Sequence, residues 1–214
     1  IELPYDASIY LNIPYIPYAR QDRVCSPGDA FSLKVFADLI NQQNYAAVYV
    51  ADAHSSVATA LLDRVFETKQ SALVYSFETF SKEKYQYIIS PDAGASKKTA
   101  EFCKELSYDT KLVQCLKTRD PATGAITKTT VLHEDFVEED CLIVDDLIDG
   151  GQTFIELAKV LKERGAGKIG LFVTHGIFSR GVDVLFENGI DYIYTTDSFE
   201  QKDERVRVIY NFFD

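Results

Sequence analysis

Several common residues and motifs are missing from this 214-residue sequence. It contains no methionine and begins at Ile1, so we expect it to be part of a longer translation product. The two closest of its four cysteines, Cys103 and Cys115, are 12 positions apart, which excludes CxxC redox and zinc spacings. We therefore expect free, buried thiols in a reducing compartment, the cytoplasm. The sequence has no run of 18 apolar residues, so we expect no membrane-spanning helix.

Positive charge is also scarce. The sequence has 22 basic and 33 acidic residues, a net charge of −11, which argues against nonspecific binding to nucleic acids or anionic membranes. This balance still allows a local basic pocket for an anionic substrate. With 46% hydrophobic residues, the chain is long enough to form one large domain or two small ones.

Short apolar runs alternate with segments of helical periodicity along the chain. The apolar runs predict strands over 7–16, 46–51, 85–89, 111–116, 141–144, 168–173, 192–196 and 206–210. The periodic segments predict helices over 31–41, 57–66, 97–106, 153–164 and 182–186, with Asp29 as a cap for the first. This alternation predicts an α/β fold with mainly parallel sheets flanked by helices. Residues 117–130 are polar and rich in threonine and predict a mobile loop, and a domain boundary is expected within 68–79.

Polar residues follow three of the predicted strands, at the edge where open α/β sheets bind their ligands. These residues are Asp52 and His54, then Asp92, then Asp145 and Asp146. A fourth strand end, with Thr174 and His175, gives a weaker signal.

The clearest site candidate is the turn Asp149-Gly150-Gly151-Gln152-Thr153, which follows Asp145 and Asp146 and opens a predicted helix. Such a turn directs backbone N–H groups at one point, and a helix N-terminus adds positive potential, so the turn predicts a phosphate site. The two carboxylates suit ribose hydroxyls or Mg²⁺, and the combination indicates a sugar phosphate. The alternative is a βα turn whose acids only cap the helix. The spacing is neither GxGxxG nor GxxxxGK[ST], which disfavours dinucleotide and Walker-type sites.

Several segments resemble the ribose-phosphate pyrophosphokinase (PRPP synthetase) family and occur in that family's order. Val144–Thr153 resembles the phosphoribosyl-binding loop of the type I phosphoribosyltransferase fold. Tyr15–Arg23 resembles the family's ATP-binding stretch, and the match continues over Gly28–Lys34. Ser90–Gly94 and Thr174–Ser179 match two further motifs.

The resemblance implies an enzyme that transfers the β,γ-pyrophosphoryl group of ATP to the C1 hydroxyl of ribose 5-phosphate. The products are PRPP, for nucleotide biosynthesis, and AMP, and Mg²⁺ is the expected cofactor. It also implies two similar phosphoribosyltransferase-like domains, residues 1–70 with an upstream portion missing and residues 71–214. The expected partners are ATP, ribose 5-phosphate and further copies of the chain in a homo-oligomer, and no nucleic acid or membrane.

The family's functional positions fall on particular residues of this chain. The resemblance assigns ATP binding to Arg20, Gln21, Arg23 and His54, and metal binding to His54 and Asp92. It assigns ribose 5-phosphate binding to Asp92, Asp145, Asp146, Asp149, Gly150, Gly151, Gln152 and Thr153. Lys117 and Arg119 match the basic pair on the family's catalytic flexible loop, where cations neutralise charge in phosphoryl-type transfer.

Structural alternatives exist for several of these residues. Arg23 follows Asp22 and can form a surface ion pair, and the basic pair at 117 and 119 can simply be solvated. His175 can stabilise a turn, and His133 precedes two acidic residues on a predicted surface.

The sequence departs from the family motif at Gln152, where a small residue is common, and at Ala95, where a second glycine is common. The larger side chain of Gln152 can point outward or crowd the phosphate. Two other functions stay open. One is a phosphoribosyltransferase that consumes PRPP with a nucleobase, and the other is a non-catalytic, PRPP-synthetase-like regulatory subunit.

Overall fold

The computed structural model describes residues 7–73, 85–106, 109–119 and 126–213 of the chain. These residues form two compact units, one that ends at Lys69 and one that begins at Gln70. Each unit is built around its own sheet, and neighbouring strands in both sheets are mainly parallel. The predicted α/β class with mainly parallel sheets flanked by helices is confirmed.

The N-terminal unit has a parallel sheet with helices packed on one face. Its strands, in spatial order, are β1 (Tyr10–Asn12), β2 (Ala47–Ala51) and β3 (Val65–Thr68). The connecting helices are α1 (Ser32–Gln42) and α2 (Ser56–Leu61). Small and aliphatic side chains from both layers form the core, among them Leu33, Ala37, Val48, Val50, Ala58 and Leu62.

The C-terminal unit has a larger sheet with the strand order β10-β9-β8-β7-β4-β5-β6. These strands are β4 (Tyr87–Ser90), β5 (Lys111–Arg119), β6 (Ile126–Val131), β7 (Cys141–Ile148), β8 (Ile169–Gly176), β9 (Tyr192–Thr195) and β10 (Val206–Val208). Its described helices are α3 (Gln70–Leu73), α4 (Ser96–Glu105), α5 (Gln152–Glu163) and α6 (Asp183–Phe186). Strand β6 is antiparallel to β5, and the other neighbouring strands are parallel.

Both faces of the larger sheet are buried. Alternate residues of the central strands, such as Ile143 and Leu171, pack in one cluster with Leu157 of α5. The residues between them, such as Leu142, pack in a second cluster with Phe102 of α4. Burial on both faces explains why these strands are continuous apolar runs rather than alternating ones.

The expected loop over 117–130 is wrong for its described part. Residues up to Arg119 continue β5, and Ile126–Val131 forms β6, so the two strands make an antiparallel hairpin. The threonines that suggested a loop are β-branched residues, and these favour extended backbone once a neighbouring strand is present.

Three further predictions near the N-terminus are corrected. The helix expected over 57–66 ends at Leu61, and β3 begins four residues later. Asp29 does not cap α1, because its carboxylate accepts a hydrogen bond from the N–H of Ser26 in the preceding turn. The first strand covers only Tyr10–Asn12, since a proline follows at position 14.

The boundaries of α5 agree with the prediction to within one residue. Gly165, the expected stop, has a φ of +77°, a left-handed conformation that favours glycine after a helix. The N–H of Ala166 then donates a hydrogen bond to the carbonyl of Leu161. At its other end, the helix begins at Gln152, directly after the Gly-Gly turn.

All four cysteines are free, as expected. Cys115 and Cys141 are buried and Cys103 is partly buried, whereas Cys25 is exposed, which corrects the expectation that all four lie in the core. Burial raises the pKa of the Cys115 and Cys141 thiols to about 12, so both stay protonated at neutral pH. Within the described ranges, no helix has the length and apolar character to cross a bilayer.

Candidate functional site

Three adjacent strands bring polar side chains to the carboxyl edge of the C-terminal sheet. Strand β4 lies between β5 and β7, and Ile89 of β4 pairs with Val113 on one side and Ile143 on the other. This register places Asp92, which follows β4, at about the level of Asp145 in β7. The sequence alone predicted this edge, because parallel strands share one carboxyl end.

Asp92 lies in the tight loop after β4, and two neighbours hold its carboxylate. Its Oδ1 accepts a hydrogen bond from the N–H of Ala95 (3.1 Å), and its Oδ2 accepts one from Lys117 Nζ (3.1 Å). The hydroxyls of Ser90 and Ser96 both donate to its carbonyl oxygen and fix the loop. Burial raises the pKa of Asp92, but the Lys117 ammonium and the backbone N–H groups outweigh it, so the pKa is lowered.

Lys117 belongs to strand β5 rather than to a loop. Its side chain is only 6% exposed, and its ammonium forms an ion pair with Asp92. Arg119 is the last residue of β5, and its side chain lies outside the described part of the structure. The lysine is therefore fixed at the edge of the sheet instead of being solvated.

Asp145 and Asp146 lie within β7, which continues to Ile148, and not beyond its end as expected. The N–H of Asp146 donates to Oδ1 of Asp145 (2.9 Å), and Asp146 is buried. Burial and the charge of Asp146 raise the pKa of Asp145 well above its ordinary value, and the charge of Asp92 adds to this. This arrangement stabilises hydrogen-bond donors or a hard cation beside the two acids.

Gln70, at the start of α3, fixes the backbone beside these acids. It is buried, and its Nε2 donates to the carbonyl oxygen of Asp145 (2.6 Å) and to Thr174 Oγ1 (3.0 Å). Its Oε1 is buried with no hydrogen-bond partner among the described residues. Gln70 therefore connects β7 to β8 at the edge that carries the acids.

The turn after β7 presents the N-terminus of α5. Gly151 has a φ of +77°, a backbone conformation that favours glycine, and a Cβ at this position would lie only 3.0 Å from Leu185 Cδ2. Among the described residues no side chain caps α5, and its first turn has no acidic residue. The first N–H groups of the helix, at Gln152 and Thr153, are therefore available to an anion.

The side chain of Gln152 points along the surface of α5 and does not crowd the turn. Its Nε2 donates to Glu156 Oε1 (2.9 Å), and its Oε1 accepts a hydrogen bond from Arg180 Nη1 (3.4 Å). Gly150 lies against the stem of Arg180, and Asp149 is exposed. The departure from the family motif at Gln152 thus leaves the backbone of the turn unobstructed.

The residues expected to hold ATP belong to the N-terminal unit. Arg20, Gln21 and His54 are exposed. Arg23 donates from Nε and Nη2 to the two carboxylate oxygens of Asp22 (2.7 and 3.0 Å). These hydrogen bonds lower the pKa of Asp22 to about 2. Arg23 therefore forms the ion pair that its structural alternative predicted.

Two other histidines have structural surroundings. The ring of His133 lies 4.8 Å from the ring centroids of both Tyr87 and Phe136. His175 is buried, and its Nδ1 lies 2.9 Å from Ser198 Oγ. The contact of His175 agrees with its structural alternative, whereas His133 is partly buried between aromatic rings and does not lie on the acidic surface expected from the sequence.

The described C-terminal unit thus brings together Asp92, Lys117, Asp145, Asp146 and the turn over 149–153. The ATP-binding candidates and His54 are residues of the other unit. Within the described ranges no three His, Cys, Asp or Glu side chains form a metal-binding group. Even so, the carboxylates of β7 and of the β4 loop are the oxygen ligands that Mg²⁺ prefers, and their mutual repulsion favours a cation.

Gln70 and Arg180 were missed by the sequence-based predictions. Gln70 lies in the segment where a domain boundary was expected, and nothing in its surroundings marks it as part of a site. Arg180 comes one residue after the motif over 174–179. That motif lies at the end of a strand predicted next to β7. The sequence could therefore have placed Arg180 close to the phosphate turn.

The chain is similar to known proteins over most of its length. Residues 124–209 match the family described as Phosphoribosyl synthetase-associated domain. The ribose-phosphate pyrophosphokinase of Mycoplasmopsis pulmonis is 32% identical over 197 residues, which cover 90% of this chain and 60% of that relative. The enzyme of the same name from Haemophilus influenzae is 33% identical over 210 residues, with 92% and 64% covered.

The fold has a solved counterpart as well. A crystal structure of phosphoribosylpyrophosphate synthetase from Mycobacterium smegmatis matches with a TM-score of 0.80 at 24% identity, covering 95% of this chain and 67% of that one. The chain spans less than two thirds of the length of the two curated relatives. Over the part that it spans, the chain is similar in sequence to the ribose-phosphate pyrophosphokinases of these two organisms and similar in fold to the Mycobacterium smegmatis structure.

Proposed function

We propose that this chain is a ribose-phosphate pyrophosphokinase, which transfers the β,γ-pyrophosphoryl group of ATP to the C1 hydroxyl of ribose 5-phosphate, giving PRPP and AMP. One observation carries the proposal. A pair of acids, one buried and one partly buried, meets a lysine and a helix N-terminus that no described side chain caps at the carboxyl edge of adjacent strands. A phosphorylated sugar has the hydroxyls and the phosphate that such a set of groups binds.

Ribose 5-phosphate is proposed to bind along β7 and the turn that follows it. The 5-phosphate takes the N–H groups of Gln152 and Thr153, where the dipole of α5 favours negative charge. The ribose hydroxyls donate to Asp145 and Asp146, which act only as acceptors when ionised. The exposed turn residue Asp149 is proposed to contribute its backbone rather than its charge.

Lys117 is proposed to neutralise charge at the reacting end of the substrates. Pyrophosphoryl transfer requires little covalent chemistry from the protein, so positioned cations provide most of the stabilisation of the transition state. Asp92 holds the Lys117 ammonium, and a phosphate group of the substrate would take over that contact. Arg119 is proposed to act with it.

Mg²⁺ is the proposed cofactor, with Asp92 as a ligand in the C-terminal unit and His54 as a candidate in the N-terminal unit. When bound, the ion supplies further neutralisation of the phosphate charge. The carboxylates at the sheet edge suit a hard cation, because such cations prefer oxygen ligands.

ATP is proposed to bind to the N-terminal unit through Arg20, Gln21, Arg23 and His54. His54 lies in the segment that follows β2. Arginine side chains match phosphate oxygens with two parallel hydrogen bonds. Arg23 would do so while Asp22 keeps its orientation. We also propose that the active form is a homo-oligomer in the cytoplasm.

The experiment incubates the purified protein with ATP, Mg²⁺ and ribose 5-phosphate and separates the nucleotides by ion-exchange chromatography. We expect AMP and PRPP in equal amounts, and neither product when any one component is left out. Absence of AMP from folded protein that binds both substrates would reject the proposal and favour the regulatory-subunit alternative. Pyrophosphate release from PRPP and a nucleobase would instead favour a phosphoribosyltransferase.

A further inference from the structure

Arg180 lies beside the proposed phosphate turn with its charge unpaired. It is on the exposed loop after β8, and within the described ranges its guanidinium forms no ion pair. Among the residues that the structure describes, its guanidinium donates a single hydrogen bond, to the neutral Oε1 of Gln152 at 3.4 Å. Arg23 and Arg205, in contrast, are both held by carboxylates. Arg180 therefore keeps most of its five N–H donors for another acceptor.

Two residues of the turn hold Arg180 in this place. A Cβ on Gly150 would lie 3.3 Å from Arg180 Cδ, so the glycine leaves room for the arginine stem to lie against the backbone. Gln152 donates from Nε2 to Glu156, which turns its Oε1 toward the guanidinium. The amide of Gln152 thus bonds both the guanidinium and the Glu156 carboxylate, and the guanidinium is positioned without an ion pair among the described residues.

We propose that Arg180 is a further ligand of the 5-phosphate of ribose 5-phosphate and that Gln152 is its positioning residue. The inference rests on the proposed function. A guanidinium is weakly hydrated and binds phosphate oxygens in a fork, and these are the properties needed at a partly exposed phosphate site. It also explains the departure at Gln152, because the side chain that replaces a small residue is the one that orients the arginine.

The charge balance of the molecule adds to this argument. The chain has a net charge of −11, and the turn itself carries the exposed Asp149 beside Gly150. A dianionic phosphate approaching this surface meets repulsion that backbone N–H groups offset only in part. A cation at the rim of the turn reduces that repulsion where the phosphate binds.

The test measures ribose 5-phosphate binding to the whole protein by titration calorimetry. We expect Arg180→Gln to raise the Kd about tenfold, in line with the loss of a charge-assisted hydrogen-bond pair. Arg180→Lys keeps the charge but loses the fork, so its Kd should lie between those of the wild type and Arg180→Gln. The difference between wild type and Arg180→Gln should shrink at high ionic strength, because the site is exposed.

Lys159→Gln is the matched control. Lys159 is an exposed residue on the same helix, and it follows Gln152 by seven residues, or about 10 Å along the axis. This variant removes the same charge away from the turn, so its Kd should equal that of the wild type. Equal weakening by Lys159→Gln and Arg180→Gln would mean that only the overall charge matters and would overturn the inference.

The role of Gln152 is tested by a double-mutant cycle. Gln152→Ala should raise the Kd about two- to threefold in the wild type and should have no effect when Arg180→Gln is already present, because it acts through that arginine. Additive effects of the two changes would overturn the positioning role. Thermal denaturation of each variant should match the wild type, since both side chains are exposed.

The outcomes separate this inference from the proposed function. If the wild type binds ribose 5-phosphate and Arg180→Gln binds it equally well, the inference alone is wrong. If the folded wild type does not bind ribose 5-phosphate, the proposed function is wrong and the inference fails with it.

Discussion

The loop after β4 and the segment from β7 into α5 are neighbours at one edge of the C-terminal sheet, yet they surround their acids in opposite ways. Asp92, after β4, accepts hydrogen bonds from Lys117 and from the N–H of Ala95, and its pKa is lowered. Asp145, in β7, faces a second acid, and its pKa is raised. Lys117 thus forms an ion pair with Asp92 and not with Asp145.

This difference indicates that the two segments have different roles in the reaction. The loop after β4 is internally paired, because Lys117 of β5 donates to the carboxylate of Asp92 and the hydroxyls of Ser90 and Ser96 donate to its backbone carbonyl. The β7 segment instead places two acids side by side, and no described side chain caps the N-terminus of the helix that follows. We therefore expect changes at Lys117 to affect the transfer step and changes in β7 to affect the binding of ribose 5-phosphate.

The largest effect is expected from Lys117→Ala. Loss of a preorganised cation at developing charge should lower kcat about 10²- to 10³-fold with little change in either KM, because the lysine acts mainly in the transition state. Steady-state kinetics with each substrate varied in turn measures this. The control is Lys111→Ala, at the opposite end of β5, which should leave kcat unchanged. An effect confined to KM would assign Lys117 to substrate binding.

A smaller effect is expected from Asp145→Asn. The amide keeps the shape of the carboxyl group but loses its charge, so hydrogen bonds from ribose hydroxyls weaken. The KM for ribose 5-phosphate should rise about tenfold, while the KM for ATP should stay near its wild-type value. Asp109→Asn, an exposed change in the loop before β5, serves as the control. Equal increases in both KM values would contradict the assignment of Asp145 to the ribose.

The smallest effect on activity is expected from Gln70→Leu, which changes the stability of the β7 side and leaves the groups around Asp92 intact. The change removes the hydrogen bonds to the Asp145 carbonyl and to Thr174 and should lower the free energy of unfolding by about 1–3 kcal/mol. Urea denaturation measures this, with the exposed Gln43→Leu as the control. A stability equal to that of the wild type would show that β7 and β8 hold their positions without Gln70.

The phosphate turn was predictable because its signal is local. Two glycines between acids and a helical pattern predicted a βα turn, and α5 begins within one residue of the expected start. Gly151 adopts the left-handed backbone that only glycine adopts readily, so residue type and geometry agree. The acids Asp145 and Asp146 were also found, although the strand that carries them is longer than expected.

The supporting contacts were not predictable, because they join residues that are distant in sequence. Gln70 is 75 positions from Asp145 and 104 from Thr174. The side chain of Lys117 was expected on a loop, since the polar residues around it resemble a loop until β6 pairs with them. Its ion pair with Asp92 depends on that strand pairing. Periodicity therefore identified the helices and strands. The pairing of charged side chains at the site could be known only from the register of the strands.

The central claim is that β7 and its turn bind ribose 5-phosphate while Lys117 serves the transfer step. Titration calorimetry with ribose 5-phosphate in the absence of ATP tests it most directly. We predict that Lys117→Ala binds ribose 5-phosphate as tightly as the wild type and that Asp145→Asn binds it about tenfold more weakly. Equal weakening by the two variants, or no weakening by Asp145→Asn, would contradict this account.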